Sequence, residues 1–242
     1  FQLGANHTLV SRYGESRTHA QNWGVGEFSL PSRAQEQKGR NRTFQLTETA
    51  VLNSRIVTET RAQFVRTTRS RTGLGTTPTI SVPGAFIGGG SEVSDAYNRH
   101  NLWELQNVKS WQSAKHAIKL GFQARRSDQI DGSTQNFNGT YTFSSRVAPE
   151  LDQNNAVVRN PDGSTALGTI TTIEAYRRTL LFRQQGLSPQ TIRQLGGGAS
   201  QYSVATGDIE TSTAQNEVGF FMQDNWRLFS NFALSGGIRY EH

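Results

Sequence analysis

The chain has 242 residues and a formal net charge of +6, with 24 glycines and no cysteine. The missing cysteines exclude disulfides, thiolate metal ligands and thiol catalysis. Only 34% of the residues are hydrophobic, which is low for a soluble domain of this length. A barrel wall with one wet side needs only half of its strand residues to be apolar, so this composition fits such a wall. Disorder is the competing interpretation, and the regular alternation described below argues against it.

No apolar run approaches the roughly 20 residues that a transmembrane helix needs. The chain starts at Phe1, and no basic segment followed by an apolar core marks a signal peptide. We therefore expect this sequence to be a piece of a longer protein that extends beyond both ends.

The first half of the chain predicts short strands separated by long loops. Apolar and polar residues alternate, the period of a half-buried strand, over residues 8–14, 41–50 and 55–66. Residues 51–54 form a predicted turn. Polar, Gly- and Pro-containing stretches predict long loops over residues 15–40 and 67–100.

The second half continues this pattern. Strands are predicted over 101–111 and 115–126 with a turn at 112–114, and residues 127–213 form the longest insertion. Within the insertion, residues 173–185 have helical periodicity. Ser188 suits the N-cap of a second helix, Pro189 its first position and Gly196 its C-terminal end. These long loops alternate with turns of about 3–5 residues, an asymmetry typical of outer-membrane barrels.

The most regular alternation lies at the C-terminus, from Asn216 to Glu241. Val218, Phe220, Met222, Trp226 and Leu228 share one face of a predicted strand, and Phe232, Leu234, Ile238 and Tyr240 share one face of the next. Phe229-Ser230-Asn231 is short enough for a hairpin turn. Each segment spans about 9–11 residues, the length with which a tilted strand crosses a bilayer. Trp226 and Tyr240 lie near strand ends, where amphipathic rings prefer the interface.

This hairpin also resembles the barrel signature of TonB-dependent outer-membrane receptors, in particular the Oar-like, carboxypeptidase-regulatory-like subgroup. The matching residues are Gln223, Asp224, Trp226, Arg227, Gly237, Arg239, Tyr240 and Glu241. Ile238 stands where the family usually has Leu. Three further segments are similar to elements of that subgroup: PGAFIGGG at 83–90, the unit formed by Trp111, His116, Lys119 and Gly121, and the Phe-x-Gly-x-Tyr-x-Phe run at 137–143.

The resemblance implies an all-β fold: a partial antiparallel transmembrane β-barrel of about seven wall strands, with long extracellular loops and a short helical piece in one of them. Residues 1–242 would be a fragment of a single outer-membrane barrel domain, with the plug domain absent. The implied function is energy-coupled uptake of a bulky, unknown solute. The implied partners are outer-membrane lipid and an inner-membrane energy-coupling protein that acts through the missing N-terminal region. Because a lone wall segment has two open edges, we expect it neither to fold stably nor to transport by itself.

Five basic residues on the polar strand faces are candidate lumen-facing charges that could favour anionic solutes: Arg61, Lys119, Arg125, Arg227 and Arg239. The alternative is that these residues pair across strands with Glu59, Glu104, Glu217 and Glu241.

No other pattern in the sequence indicates a catalytic or ligand site. The Gly186-Leu187-Ser188 turn between two short helices resembles a helix-turn-helix, but its second helix has only Arg193 as a base, so we expect no nucleic-acid partner. The five histidines have no metal-ligand spacing and no nucleophile elbow is present, so we expect no enzyme activity, metal or cofactor. A passive porin-like channel and a soluble β-sandwich binding module remain the alternatives.

Overall fold

The computed structural model describes residues 1–242, which form fourteen strands and two α-helices. In chain order they are β1 (Gln2–Gly4), β2 (His7–Trp23), β3 (Gln35–Asn53), β4 (Ile56–Gly73), β5 (Thr79–Val82), β6 (Phe86–Gly89), β7 (Val93–Gln112), β8 (His116–Gln135), β9 (Thr140–Thr142), β10 (Arg146–Pro149), β11 (Leu167–Ile170), α1 (Thr172–Gln184), α2 (Pro189–Gln194), β12 (Gln201–Ser203), β13 (Glu210–Phe229) and β14 (Phe232–Glu241). One 3-10 turn covers Pro31–Arg33.

Eight strands form one antiparallel sheet in the order β1-β2-β3-β4-β7-β8-β13-β14. Seven of them have ten residues or more, which agrees with the predicted number of wall strands. The connections at one end of the sheet are the short turns 5–6, 54–55, 113–115 and 230–231. Those at the other end are the segments 24–34, 74–92 and 136–209. The predicted asymmetry between short turns and long loops is therefore confirmed, and the sheet is an open wall with free edges at β1 and β14.

The predicted loop boundaries were wrong because the strands extend further than the apolar alternation does. Residues 15–23, 67–73 and 127–135 continue β2, β4 and β8, and residues 35–40 and 93–100 begin β3 and β7. Backbone pairing continues through these extensions, with register shifts between Ala20 and Trp23 on β2 and between Val93 and Ala96 on β7. Outward side chains in these extensions are mostly polar or charged, so the sequence loses its apolar alternation although the strands remain paired. Likewise, the C-terminal turn has two residues, 230–231, because Phe229 still pairs with Phe232.

One face of the sheet is a largely apolar band. Register places Tyr13, Phe44, Phe64 and Trp103 side by side across four strands, and the rings of Phe64 and Trp103 lie 4.1 Å apart. Nearer the short turns, Phe122 faces Phe220, which faces Tyr240. The band is uncovered by protein: Trp103 is 54% exposed, Phe220 52% and Ile238 74%.

This exposure overturns the β-sandwich alternative, because a sandwich buries such a face against a second sheet. A membrane wall instead presents it to lipid.

A small polar group interrupts the apolar band on β4 and β7. Asn107 lies opposite Thr60 in the register, and its Nδ2 donates to Thr58 Oγ1 at 3.1 Å and to Thr60 Oγ1 at 2.8 Å. The amide donor is thus satisfied locally, which reduces the cost of placing it in an apolar surrounding.

The protein's main hydrophobic core lies outside the wall, in a unit that we call the loop module (residues 74–92 and 136–209). Its core cluster consists of Val82, Phe143, Ala148, Ile170 and Ala175. A four-stranded sheet, β12-β9-β5-β6, and the β10–β11 hairpin support α1 and α2. The long connections are thus a folded body at one end of the wall.

The helix ends in this module follow the predicted capping pattern. Gly186 has φ +75° and ends α1, and the Ser188 side chain accepts from Thr191 N at 3.1 Å as the N-cap of α2. Gly196 follows α2 with φ +83°. Neither helix is long and apolar enough to cross a bilayer.

Candidate solute-facing wall and loop cavity

The C-terminal signature residues are distributed over the two faces of the β13–β14 hairpin. Gln223 pairs with Gly237, and Phe221 pairs with Arg239. A Cβ at Gly237 would lie 2.8 Å from the backbone oxygen of Met222, so only glycine fits this close approach. Tyr240 joins the apolar face opposite Phe220. Arg239 Nε donates to Glu241 Oε1 at 2.6 Å on the other face.

Asp224 and Trp226 both contact His116, which belongs to the β7–β8 hairpin, another segment that resembles the receptor family. His116 Nδ1 donates to Asp224 Oδ2 at 2.7 Å, and the imidazole stacks on the Trp226 ring with centroids 5.5 Å apart and planes 16° apart. All three side chains lie on the apolar face at the short-turn end, where polar and aromatic groups meet the bilayer interface. Strand pairing of β8 with β13 brings them together. Sequence reasoning placed His116 near a turn but missed this pair, because 108 residues separate its members.

The packing of Phe221 over Gly121 explains why the family-like unit on β8 has a glycine at this position. The two residues pair across β8 and β13, and a Cβ at Gly121 would overlap the Phe221 ring. The ring therefore covers bare backbone. A second pair repeats this arrangement nearer the long loops, where the Tyr97 ring covers Gly132 and its hydroxyl donates to Glu210 at 2.6 Å.

The five candidate charges lie on the polar face, opposite the apolar band. Arg125 lies 3.5 Å from Glu217 on the neighbouring strand, and Arg239 pairs with Glu241 two residues away. Arg61 donates to Gln63 Oε1 at 2.8 Å rather than to a carboxylate. Pairing thus involves two of the five residues.

Lys119 and Arg227 have no ion-pair partner. Lys119 lies opposite Gln223 in the register, and Arg227 lies opposite Ala233. Two cations near the short-turn end of the polar face are therefore free to attract an anion.

The loop module contains a cavity of about 1300 Å³ lined by aromatic and basic side chains. The rings of Tyr141 and Tyr202 lie 4.6 Å apart in its wall, and Tyr176 packs edge-on against the buried Phe143 at 5.2 Å. Tyr141 and Phe143 belong to the Phe-x-Gly-x-Tyr-x-Phe run. Its Gly139 has φ +78° and lies under the Tyr202 ring, where a Cβ would overlap that ring.

The cations around this cavity outnumber the anions. Arg146, Arg183 and Arg193 line it, and no Asp or Glu does. Arg146 donates to the carbonyl oxygen of Gly198 at 2.9 Å, whereas Arg183 and Arg193 have no ion-pair partner. The cavity therefore suits a solute with an anionic group and a flat apolar part.

The buried Arg178, which pairs with the partly exposed Glu174, fixes the helices that form this cavity. Arg178 is 3% exposed and donates to Glu174 Oε1, Pro149 O and Leu195 O at 2.8, 2.8 and 2.9 Å. It thereby links α1 to β10 and α2. The hydrogen bond from Arg177 has the largest effect on the pKa of Glu174 and lowers it; burial opposes this shift, and the hydrogen bond from Arg178 lowers the pKa further, to about 2.

The glycine triplet at 88–90, which lies within the predicted loop 67–100, is closely packed. A Cβ at Gly89, which has φ +71°, would overlap the backbone oxygen of Pro78, and one at Gly90 that of Thr77. The triplet lies at the end of the β5–β6 hairpin, where two chain segments approach closely.

Histidines and carboxylates come together only in pairs. His7 Nδ1 lies 2.9 Å from Glu48 and His19 Nε2 lies 2.8 Å from Glu36. No group of three potential metal ligands is present.

A single-layered antiparallel sheet with one apolar face open to lipid, one polar face and short turns at one end defines a segment of a transmembrane β-barrel wall. The family model described as outer membrane beta barrel domain matches residues 1–242, and the chain belongs to that family. The protein is accordingly located in the bacterial outer membrane. No curated protein matches the sequence.

Two solved outer-membrane proteins of Escherichia coli have similar structures. The outer membrane transporter YddB superposes with a TM-score of 0.54 at 10% identity, over 99% of this chain and 26% of YddB. The open form of the ferric-catecholate import receptor Fiu, from strain K12, gives a TM-score of 0.46 at 11% identity, over 99% of this chain and 33% of Fiu. The chain thus spans about a quarter to a third of these proteins.

Proposed function

We propose that the intact protein takes up a bulky solute across the outer membrane by energy-coupled transport, as TonB-dependent receptors do. Residues 1–242 are a fragment of its barrel wall. The C-terminal signature and its three companion segments favour the Oar-like subgroup. In this proposal an inner-membrane energy-coupling protein acts on a plug region that lies N-terminal to Phe1.

The observation that carries this proposal is the folded loop module with its cavity of about 1300 Å³. Ligand sites are concave and largely preformed, with a few polar groups that fix orientation. A passive pore selects by its constriction and needs no such module. The module lies on the long-loop side, where solute arrives from outside the cell.

The polar face supports the same function. Lys119, Arg227 and the Arg125–Glu217 pair line the side of the wall that faces away from lipid. In a closed barrel that side surrounds the lumen. Arg183 and Arg193 at the cavity, followed by Lys119 and Arg227 nearer the short turns, provide positive charge along the route of an anionic solute.

The test uses the full-length protein with its native start. We expect the purified protein in a planar lipid bilayer to give no steady conductance, because a plug fills the lumen. Cells that express it should deplete an anionic solute from the medium only when the inner-membrane coupling protein is functional. A steady open conductance, together with depletion that does not depend on the coupling protein, would contradict the proposal and favour the porin-like alternative.

A further inference from the structure

The apolar face of the wall changes character abruptly beyond the aromatic row of Tyr13, Phe44, Phe64 and Trp103. Many of the next outward-facing positions toward the long loops are cationic. Six of them form what we call the outer basic patch: Arg17, Lys38, Arg40, Arg42, Arg66 and Arg99. Strand residues of the same parity share a face, so these side chains leave the wall on the same side as the apolar band.

Their height along the wall follows from the register. Arg42 and Arg40 lie two and four residues beyond Phe44 on β3. With a rise of about 3.3 Å per residue and a strand tilt near 40°, this places them roughly 5–10 Å beyond the aromatic row. Aromatic rows mark the headgroup level of a barrel, so the patch faces the headgroups of the leaflet on the long-loop side.

The patch surrounds a shallow hollow. Thr68 lies between Arg40 and Arg99 in the register, and Ser70 lies between Lys38 and Tyr97. Because Thr and Ser are short, they leave a hollow of about 500 Å³ whose rim includes Arg17, Lys38, Arg40 and Arg99. No Asp or Glu lines it.

The internal carboxylates compensate this charge only in part. Glu15 accepts hydrogen bonds from Arg17 and from Arg40, the latter at 3.0 Å, and Glu36 accepts one from Lys38 at 2.9 Å. Arg66 and Arg99 have no ion-pair partner. The six cations thus exceed the two carboxylates by four charges.

One pair of opposed positions in the patch is unfavourable in the absence of an anion. Arg42 and Arg66 face each other directly across β3 and β4. Like charges at directly opposed strand positions repel, and Glu15 lies only on the β2 side of Arg42, at 3.3 Å. A phosphate between the two guanidinium groups would accept from both, which is the geometry that arginine forks favour.

We propose that the outer basic patch binds the phosphate groups of a glycolipid in the leaflet on the long-loop side. The rows next to it define the rest of the ligand. Acyl chains lie along the aromatic row and the apolar band. One phosphate lies between Arg42 and Arg66, a second lies over Thr68 between Arg40 and Arg99, and the sugar rests over Ser70. Arginine stems follow the apolar wall while their heads reach the phosphates.

The test compares charge removal on the two faces of the full-length protein, purified in a non-ionic detergent. The test variant is Arg66→Gln with Arg99→Gln; neither residue has an ion-pair partner, so folding should be unaffected. The control is Arg12→Gln, which removes an exposed arginine from the opposite face of β2. Native mass spectrometry measures binding of bisphosphorylated lipid A, with dephosphorylated lipid A and inorganic phosphate as the comparison ligands. Faster migration before heating than after it confirms that each variant is folded.

We expect the wild-type protein and Arg12→Gln to bind bisphosphorylated lipid A equally, and the double variant to bind it about tenfold more weakly or worse, since each surface cation contributes appreciably to anionic-lipid binding. Dephosphorylated lipid A should bind weakly to all three. Inorganic phosphate alone should bind only at much higher concentration. Equal binding by the double variant, equal weakening by Arg12→Gln, or tight binding of dephosphorylated lipid A would overturn the proposal.

Discussion

His116 Nδ1 lies 2.7 Å from Asp224 Oδ2, across the β8–β13 pair. The contact joins two hairpins that resemble receptor signatures, although 108 residues, including most of the loop module, separate them in sequence. Trp226 supports the imidazole from the same strand as Asp224. The pair therefore fixes the register at the short-turn end of the wall, after the longest insertion has returned the chain to the sheet.

Replacing Asp224 by Ala should destabilise the barrel modestly. Both side chains are partly exposed, so we expect a loss of about 1.5 kcal/mol, the lower end for a hydrogen bond to a charged group. The loss in the free energy of unfolding is measured by urea titration of the full-length protein in detergent, with tryptophan fluorescence as the signal. Asn225→Ala is the matched control, since Asn225 lies on the opposite face and makes no side-chain hydrogen bond. An equal effect of both substitutions would show that the His116–Asp224 contact is unimportant.

Gly121→Ala should be more harmful than the same change in the neighbouring strand. The new methyl group would overlap the Phe221 ring, whereas a Cβ at Gly219 would meet its nearest atom at an ordinary 3.5 Å. Overpacking typically costs about 1–3 kcal/mol. We expect a smaller fraction of Gly121→Ala protein to reach the fast-migrating folded band, and Gly219→Ala to match the wild type. Equal folded fractions for the two variants would contradict this account of Gly121.

Arg178→Ala should loosen the loop module without affecting the wall. The substitution leaves Pro149 O and Leu195 O without their buried donor, and an unsatisfied buried acceptor commonly costs about 1–3 kcal/mol. Glu174 keeps its hydrogen bonds to Arg177. Limited proteolysis of intact cells should then cut within residues 136–209, while the folded band in gels persists. Arg177→Ala, which removes an exposed partner of the same carboxylate, should remain more resistant. Equal resistance of all three proteins would contradict the proposed role of Arg178.

The module should also lose stability in acid within a defined range. The pKa of Glu174 is lowered from 4.5 to about 2 by its arginine partners, so its stabilising effect is complete above about pH 4.5. It is lost as the pH falls toward 2, where the folded form takes up a proton. Pepsin cleavage within α1, corrected with an unfolded peptide of the same sequence, should rise across this range. Glu174→Gln should flatten the profile, and an unchanged slope in that variant would assign the acid sensitivity to other groups.

The charges of the loop cavity should affect uptake more than stability. Arg183→Gln with Arg193→Gln removes two unpaired cations from the cavity, and we expect uptake of an anionic solute to fall by about tenfold, by loss of one charge-assisted contact. Arg159→Gln, in the same module but outside the cavity, is the control. If the double variant transports at the wild-type rate, the solute does not use this cavity.

Much of the wall could be predicted from the sequence, since alternation at Phe44, Leu105 and Phe220 is a local property of a half-apolar strand. The parts of the strands next to the long loops could not be predicted in this way. Arg40, Thr68 and Arg99 have no hydrophobic period, and only their pairing with neighbouring strands shows that they are in the sheet.

The functional and structural sites also fall into two groups, those set by local sequence and those set by contacts between distant segments. Ser188 and Gly186 cap helices through local backbone geometry, so the sequence predicts them. The His116–Asp224 pair, the Arg178 link and the outer basic patch depend on contacts between distant segments. The resemblance identified Gly121 as a family residue, but its physical reason, the Phe221 ring, becomes visible only when β8 and β13 are paired.

The central claim is that one face of this sheet meets lipid and the other surrounds the lumen. Neighbouring residues of β7 test it most directly, with single cysteines at Glu104 and Leu105 in an otherwise cysteine-free full-length protein. We expect a label at position 105 to be quenched by a lipid-soluble nitroxide and to be inaccessible to a charged thiol reagent, and a label at position 104 to behave in the opposite way. Equal access of the charged reagent to both positions would contradict a membrane wall.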